Sequence, residues 1–132
     1  MTLEEASQIY YINKEIKAIK RDLTKLEESR TFSRAITYSD MPKGSIRDTT
    51  EDIDDYLAEH QQLVDMLNYS LQKLQMERLK MERFLTTVED AELRLIIRLR
   101  CVNNMYWREI GAELNMNRTT AMRKFYDFWS QN

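Results

Sequence analysis

The 132-residue chain has only two glycines and one proline. Tight turns and β-hairpins draw on those two residue types, so a sheet-rich fold with many reversals is excluded and long helices with few connections are expected. The one cysteine, Cys101, has no second thiol with which to close an intramolecular disulfide, which fits a reducing, cytoplasmic compartment. It lies in an apolar helical stretch and reads as a buried structural thiol. The one histidine, His60, and that remote cysteine make no metal-ligand set. With Gly44 and Gly111 the only glycines, no phosphate-cradling loop can be built, and no Ser/His/Asp or Cys/His set is suggested. The expectation is a protein that is not an enzyme, with no cofactor and no metal. Apolar runs fall far short of the ~20 residues that span a bilayer. The start, Met-Thr-Leu-Glu-Glu-Ala, lacks the positive and apolar segments of a secretion signal. Neither a membrane partner nor export is expected.

What is present is an ordinary globular balance, 42% hydrophobic and 32% charged residues. The expectation is an all-α protein. Residues 1–88 read as a long antiparallel helical hairpin or coiled coil with a connection at 35–49, and residues 89–132 as a three-helix helix-turn-helix module. Thr2-Leu3-Glu4-Glu5 has the form of a capping box and places the first helix at about Leu3 to Arg34. Ile9, Ile12, Ile16, Ile19, Leu23 and Leu26 are spaced 3, 4, 3, 4, 3, a heptad seam with charge on the other faces. Ala35 to Thr49 loses that pattern and contains Pro42 and Gly44. Thr49 or Thr50 then reads as the cap of a second helix, with Glu51, Asp52, Asp54 and Asp55 at its start, where the helix dipole favours carboxylates. Its seam is read through Ile53, Leu57, His60, Val64, Leu67, Leu71, Leu74, Arg78, Met81, Leu85 and Val88. The same seam serves a hairpin within one chain or a coil between chains, and it is the expected route to a homodimer.

The formal charge of −2 is unevenly placed. Residues 1–40 carry seven bases and seven acids, residues 41–90 six and eleven, and residues 91–132 seven and four. The basic end is therefore able to meet a polyanion despite the acidic total.

Within that end, Trp107 to Leu114, Asn115-Met116-Asn117, and Arg118 to Phe125 form two short helical patterns about a turn. Gly111 permits a close crossing, Asn115 tolerates a positive φ, and Ile110, Leu114, Met116, Ala121 and Phe125 supply the apolar underside. Asn117 reads as the N-cap of the second helix. That helix would expose Arg118, Thr119, Thr120, Met122, Arg123 and Lys124, with no acid among them. Before it, Thr87 to Asp90 reads as a break and a cap, and Asn103-Asn104 as a further turn.

Glu92-Leu93-Arg94, Leu99-Arg100, Trp107 to Gly111, Leu114 to Asn117 and Thr120-Ala121 resemble region 4 of bacterial sigma factors. The whole chain resembles the small sigma-like regulators of phages and integrated elements, a group that includes late-gene activators. The resemblance covers roughly residues 90–126. It departs at Tyr106, where that family has a Ser or Thr cap, at Asn104 and Asn115, which replace glycines, at Gly111, which replaces alanine, and at Ala121, which replaces valine. Carried over by position, it implies that Arg118, Thr119, Thr120, Met122 and Arg123 face base edges while Arg108, Asn117 and Lys124 hold phosphates. It further implies a cytoplasmic transcriptional regulator of a bacterial host cell, with double-stranded DNA and RNA polymerase as partners. Two other readings use the same features: a module that docks on RNA polymerase or another host protein without reading DNA, and a DNA-packaging small subunit.

Overall fold

The computed structural model describes residues 1–40 and 46–131, with side chains at 1–30 and 51–131. All regular structure among them is helical: α1 (Leu3–Ala6), α2 (Gln8–Asp40), α3 (Ile46–Leu85), α4 (Ala91–Ile97) with a π-helical continuation (Arg98–Val102), α5 (Trp107–Glu113) and α6 (Arg118–Ser130). The protein is all-α, and no helix among the described residues is long and apolar enough to cross a membrane. The chain divides into two compact units, one of Met1–Asn13 with the chain from Lys73 onward, the other of Lys14–Gln72.

The capping box forms. The Thr2 hydroxyl accepts from the Glu5 N–H at 3.3 Å, and the Thr2 N–H donates to the Glu5 carboxylate at 2.8 Å. The helix it starts is not continuous with the next. Ser7 interrupts it, its hydroxyl donating to the Leu3 carbonyl at 2.8 Å, a local bond that competes with the helical ladder. At the far end α2 runs on to Asp40, past the expected stop near Arg34, and Thr49 and Thr50 lie inside α3 instead of capping it. Loss of an apolar stripe does not stop a helix. Ala35 to Asp40 contains no glycine or proline, and the two breakers, Pro42 and Gly44, fall at 41–45, outside the described residues.

The seam of α2 is buried at Ile9, Ile12, Ile16 and Ile19, and half-buried at Leu23 and Leu26. That of α3 is half-buried at Ile53, His60, Val64 and Leu67 and buried at Leu74, Met81 and Leu85, as expected, but departs by one position at three alternate places. Tyr56, Leu63 and Glu77 are half-buried and Ser70 is buried, while Leu57, Leu71 and Arg78 are exposed. Both strings keep heptad spacing, and the polar Ser70 and Glu77 hide the correct one.

In the unit Lys14–Gln72, α2 and α3 pair antiparallel within one chain. His60 Nε2 meets Glu27 Oε1 at 3.2 Å, and the Arg30 guanidinium lies 4.5 Å from the centre of the Tyr56 ring. Nearer the middle of the pair, Leu26 and Leu63 border a shared cavity of about 490 Å³.

The other unit is built on a denser core. Ala6, Ile96, Ile97, Ile110 and Ala121 are fully buried, with Ile9, Met81 and Leu85 nearly so. Phe84 stacks on Trp129 with ring centres 5.5 Å apart, and Phe125 and Phe128 meet the same indole edge-on. The hydroxyls of Thr86 and Thr87 close α3 on the Arg83 and Phe84 carbonyls. Asp90 then caps α4 by accepting from the Glu92 and Leu93 N–H groups at 3.0 and 3.4 Å. Arg94 donates to the Val88 carbonyl at 2.9 Å, and Arg98 forms a two-pronged pair with Glu82. These bonds fix the start of the C-terminal segment on the end of α3.

Candidate nucleic-acid interface

The geometry of α5 and α6 begins one element earlier. In the π-helical stretch the Asn103 N–H reaches back to the Arg98 carbonyl at 3.1 Å, and the Met105 N–H to the Leu99 carbonyl at 3.0 Å. The wider turn lets Leu99 and Cys101 both stay buried. It ends on Asn104 at φ 55°, a left-handed residue that asparagine tolerates. Burial pushes the Cys101 thiol up to about 12, with the Arg100 charge opposing weakly, so the cysteine is a packing group.

Tyr106 precedes α5 with extended backbone and makes no side-chain cap. Packing holds the first turn instead. Trp107 lies edge-on to Phe125 at 5.1 Å and near Tyr126 at 6.1 Å, and the Arg100 guanidinium sits 4.8 Å from the centre of the Trp107 ring. Arg100 also donates to the Met105 carbonyl at 2.9 Å, tying the turn to the helix it introduces.

α5 and α6 are joined by a short turn in which Asn115 takes φ 53° and the Met116 N–H donates to the Gly111 carbonyl at 2.9 Å. A Cβ on Gly111 would stand 2.8 Å from the Met116 carbonyl oxygen and 3.1 Å from the Arg118 nitrogen. Glycine is thus required by the approach of the α6 start. Ile110, Ala121 and Phe125 are buried beneath the pair, and Leu114 and Met116 half-buried. Asn117 stands at the N-cap position with φ −70° and ψ 139°, but its side chain makes no cap hydrogen bond. The residue is exposed, and the capping hydrogen bond read from the sequence is not formed.

The inward stripe of α6 is Ala121, Phe125 and Trp129. Outward, Thr119, Arg123, Tyr126 and Ser130 follow at i, i+4, i+7 and i+11 and are all exposed. Thr120, Lys124 and Asp127 form the neighbouring exposed row. Arg118 is exposed at the helix start beside Asn117, and Met122 is half-buried at the flank. Arg108 is exposed in the first turn of α5, on a different element from the other seven residues singled out.

Lys124 is engaged within the chain. Its ammonium pairs with the Glu92 carboxylate of α4, a hydrogen bond that holds the lysine above its ordinary range, helped by the charges of Glu92 and Asp90. Sequence reading missed this partner, 32 residues away, and also the place of Tyr126 on the Thr119–Arg123 stripe, which helical spacing alone supplies. Among the described residues no group of histidines, cysteines and carboxylates is arranged to hold a metal ion. Comparison with family models, with curated proteins and with solved structures finds no match to this chain.

Proposed function

We propose that this chain is a sequence-specific DNA-binding transcriptional regulator of a phage or integrated element, acting in the cytoplasm of a bacterial host. In this reading α5 and α6 form its helix-turn-helix, and the sigma region 4 resemblance supplies the roles. The observation that carries it is the outward surface of α6. From Asn117 to Lys124 every exposed side chain is basic or a neutral hydrogen-bonding group, and the first acid of the helix is Asp127. Arg118 and Arg123 suit bidentate bonds to guanine, and Thr119 and Thr120 offer a hydroxyl and a methyl to base edges. Half-buried Met122 adds an apolar contact at the margin. Asn117, Lys124 and Arg108 suit phosphate oxygens. One such helix reads only a few base pairs, so a homodimer built through the helical hairpin, or cooperation with RNA polymerase, supplies the rest of the specificity.

The test is titration of the purified protein against DNA fragments from its own gene neighbourhood at low and near-physiological salt, beside an R118A/R123A/K124A variant. Saturable binding to one fragment, lost in the variant with helical content unchanged, is expected. Binding that the triple variant retains overturns the residue assignment.

A second reading, docking on RNA polymerase or another host protein without reading DNA, draws on the Glu92–Lys124 pair, which offsets one of the few cations here, and on Tyr106 and Tyr126, exposed beside Trp107. Co-purification with a host protein and no DNA binding at any salt favours it.

A further inference from the structure

A cavity of about 320 Å³ lies where the N-terminal segment meets the C-terminal helices. Its walls come from α1 and the start of α2, from the π-helical stretch, from the turn before α5 and from α6. All of them belong to one compact unit. The volume is near the lower end for a small-molecule site and leaves room for one ring system.

Four tyrosines border it. Tyr10 and Tyr11 meet edge-on with ring centres 5.3 Å apart, and Tyr126 lies edge-on to Phe125 at 5.2 Å. Tyr11 is 60% and Tyr106 70% exposed, so rings and hydroxyls stand at the mouth. A flat aromatic occupant suits such a rim, since it can stack or meet the rings edge-on.

The charge of the occupant is indicated by Arg100. It is the one charged side chain on the lining, and among the described residues no carboxylate borders the cavity. The half-buried guanidinium spends one N–H on the Met105 carbonyl and forms no ion pair with a described residue. The rest of its planar fork matches a carboxylate. Asn104 also borders the cavity, and its Oδ1 is buried with no donor among the described residues. A buried acceptor of this kind is costly until a donor reaches it.

We propose that this cavity binds a small aromatic carboxylate, its carboxylate paired with Arg100, its ring among the tyrosines, and a ring hydroxyl or amine donating to Asn104. The site shares no residue with the Asn117–Lys124 surface and stands whether or not that surface reads DNA.

An NMR titration of the full-length protein with 4-hydroxybenzoate tests it. Saturable shifts are expected at the backbone amides of Ser7, Cys101, Tyr106 and Tyr126, with a Kd of about 5 mM or tighter for a ligand this small. The charge is tested on the ligand, because Arg100 also holds the Met105 carbonyl and its removal would disturb the turn. Uncharged 4-hydroxybenzamide is expected to bind at least about tenfold more weakly, and benzoate, which lacks the donor, about three- to fivefold more weakly. A Y11A/Y106A variant keeps wild-type helical content, because both side chains are exposed, and loses about fivefold or more in affinity. Shifts that do not saturate, equal binding of the amide, or undiminished binding by Y11A/Y106A overturns the proposal. The R118A/R123A/K124A variant separates the two conclusions: it binds the carboxylate normally while losing DNA, and loss of the carboxylate in that variant would place the anion on α6 and sink the cavity site alone.

Discussion

Gly111 lies so close to Met116 that a Cβ on the glycine would stand 2.8 Å from the methionine's carbonyl oxygen. The obstructing atom is backbone and belongs to the turn that starts α6. The contact cannot be relieved by a side chain swinging away. Gly111→Ala therefore has two opposed effects. Alanine gains about 1 kcal/mol of helix propensity inside α5, and forcing the turn outward costs about 1–3 kcal/mol. The net expectation is a loss of stability of about 1 kcal/mol in urea denaturation, with DNA affinity falling further because the start of α6 moves. A variant as stable as the parent with unchanged affinity would show that the turn gives way freely. The substitution is informative because the sigma-like pattern carries alanine at this position.

How much of this was legible in the sequence depends on range. Asn104 and Asn115 were readable as left-handed turn residues because the signal is local, and both adopt positive φ. The capping boundary at Asp90 was readable for the same reason. The Ile53, His60, Leu67, Leu74 and Met81 half of the α3 seam was readable, and the other half only to within one position. Heptad spacing admits both Leu57–Val64–Leu71 and Tyr56–Leu63–Ser70, and hydrophobicity favours the wrong string because a buried serine looks like a surface residue. The end of α2 was misplaced because loss of amphipathicity marks where a helix stops burying a face, which is not where it stops being a helix. The Glu92–Lys124 pair and the stacking of Arg100 on Trp107 follow from tertiary placement, and no periodicity encodes them.

The Glu92–Lys124 pair gives a prediction about affinity. If the chain binds DNA as proposed, Glu92 competes with a phosphate for the lysine, and its carboxylate adds a repulsive charge near the backbone it would face. Glu92→Gln removes both and leaves the lysine protonated. DNA affinity is expected to rise about three- to tenfold at low salt, with a log–log salt slope steeper by up to about one unit. Lys124→Ala in the Glu92→Gln background should cancel the gain. An affinity that does not move on Glu92→Gln would remove Lys124 from the phosphate contacts.

Cys101 is 6% exposed and its thiol is pushed up to about 12 by burial. At pH 8 almost none of it is thiolate, and the sulfur is shielded as well. Iodoacetamide at pH 8 is expected to leave the folded protein unmodified over the time in which it fully alkylates the chain in denaturant. Mass spectrometry reads both. Rapid labelling of the folded protein would mean that the π-helical segment opens readily, because the cysteine lies within it.

The Arg98–Glu82 pair sets a pH dependence whose sign is fixed. The Arg98 hydrogen bond holds the Glu82 carboxyl below the ordinary glutamate value; partial desolvation works against it, and the arginine's charge adds to the lowering. A carboxylate depressed in the folded state stabilises fully above its unfolded value, near 4.5, and loses that contribution as pH falls through the lower folded value. Both side chains are more than a third exposed, so solvent screens the pair and its worth is about 0.5 kcal/mol. Glu82→Gln should therefore be slightly less stable than the parent at pH 7 and pH 6. The gap should narrow as pH falls below 4.5 and close once pH has passed below the lowered folded value, where the parent's own glutamate is protonated. Urea midpoints at these pH values measure it. A gap that persists undiminished through the acid end of the titration would assign the loss to packing at the end of α3, and the charge of Glu82 would then have no part in fixing α4 to that helix.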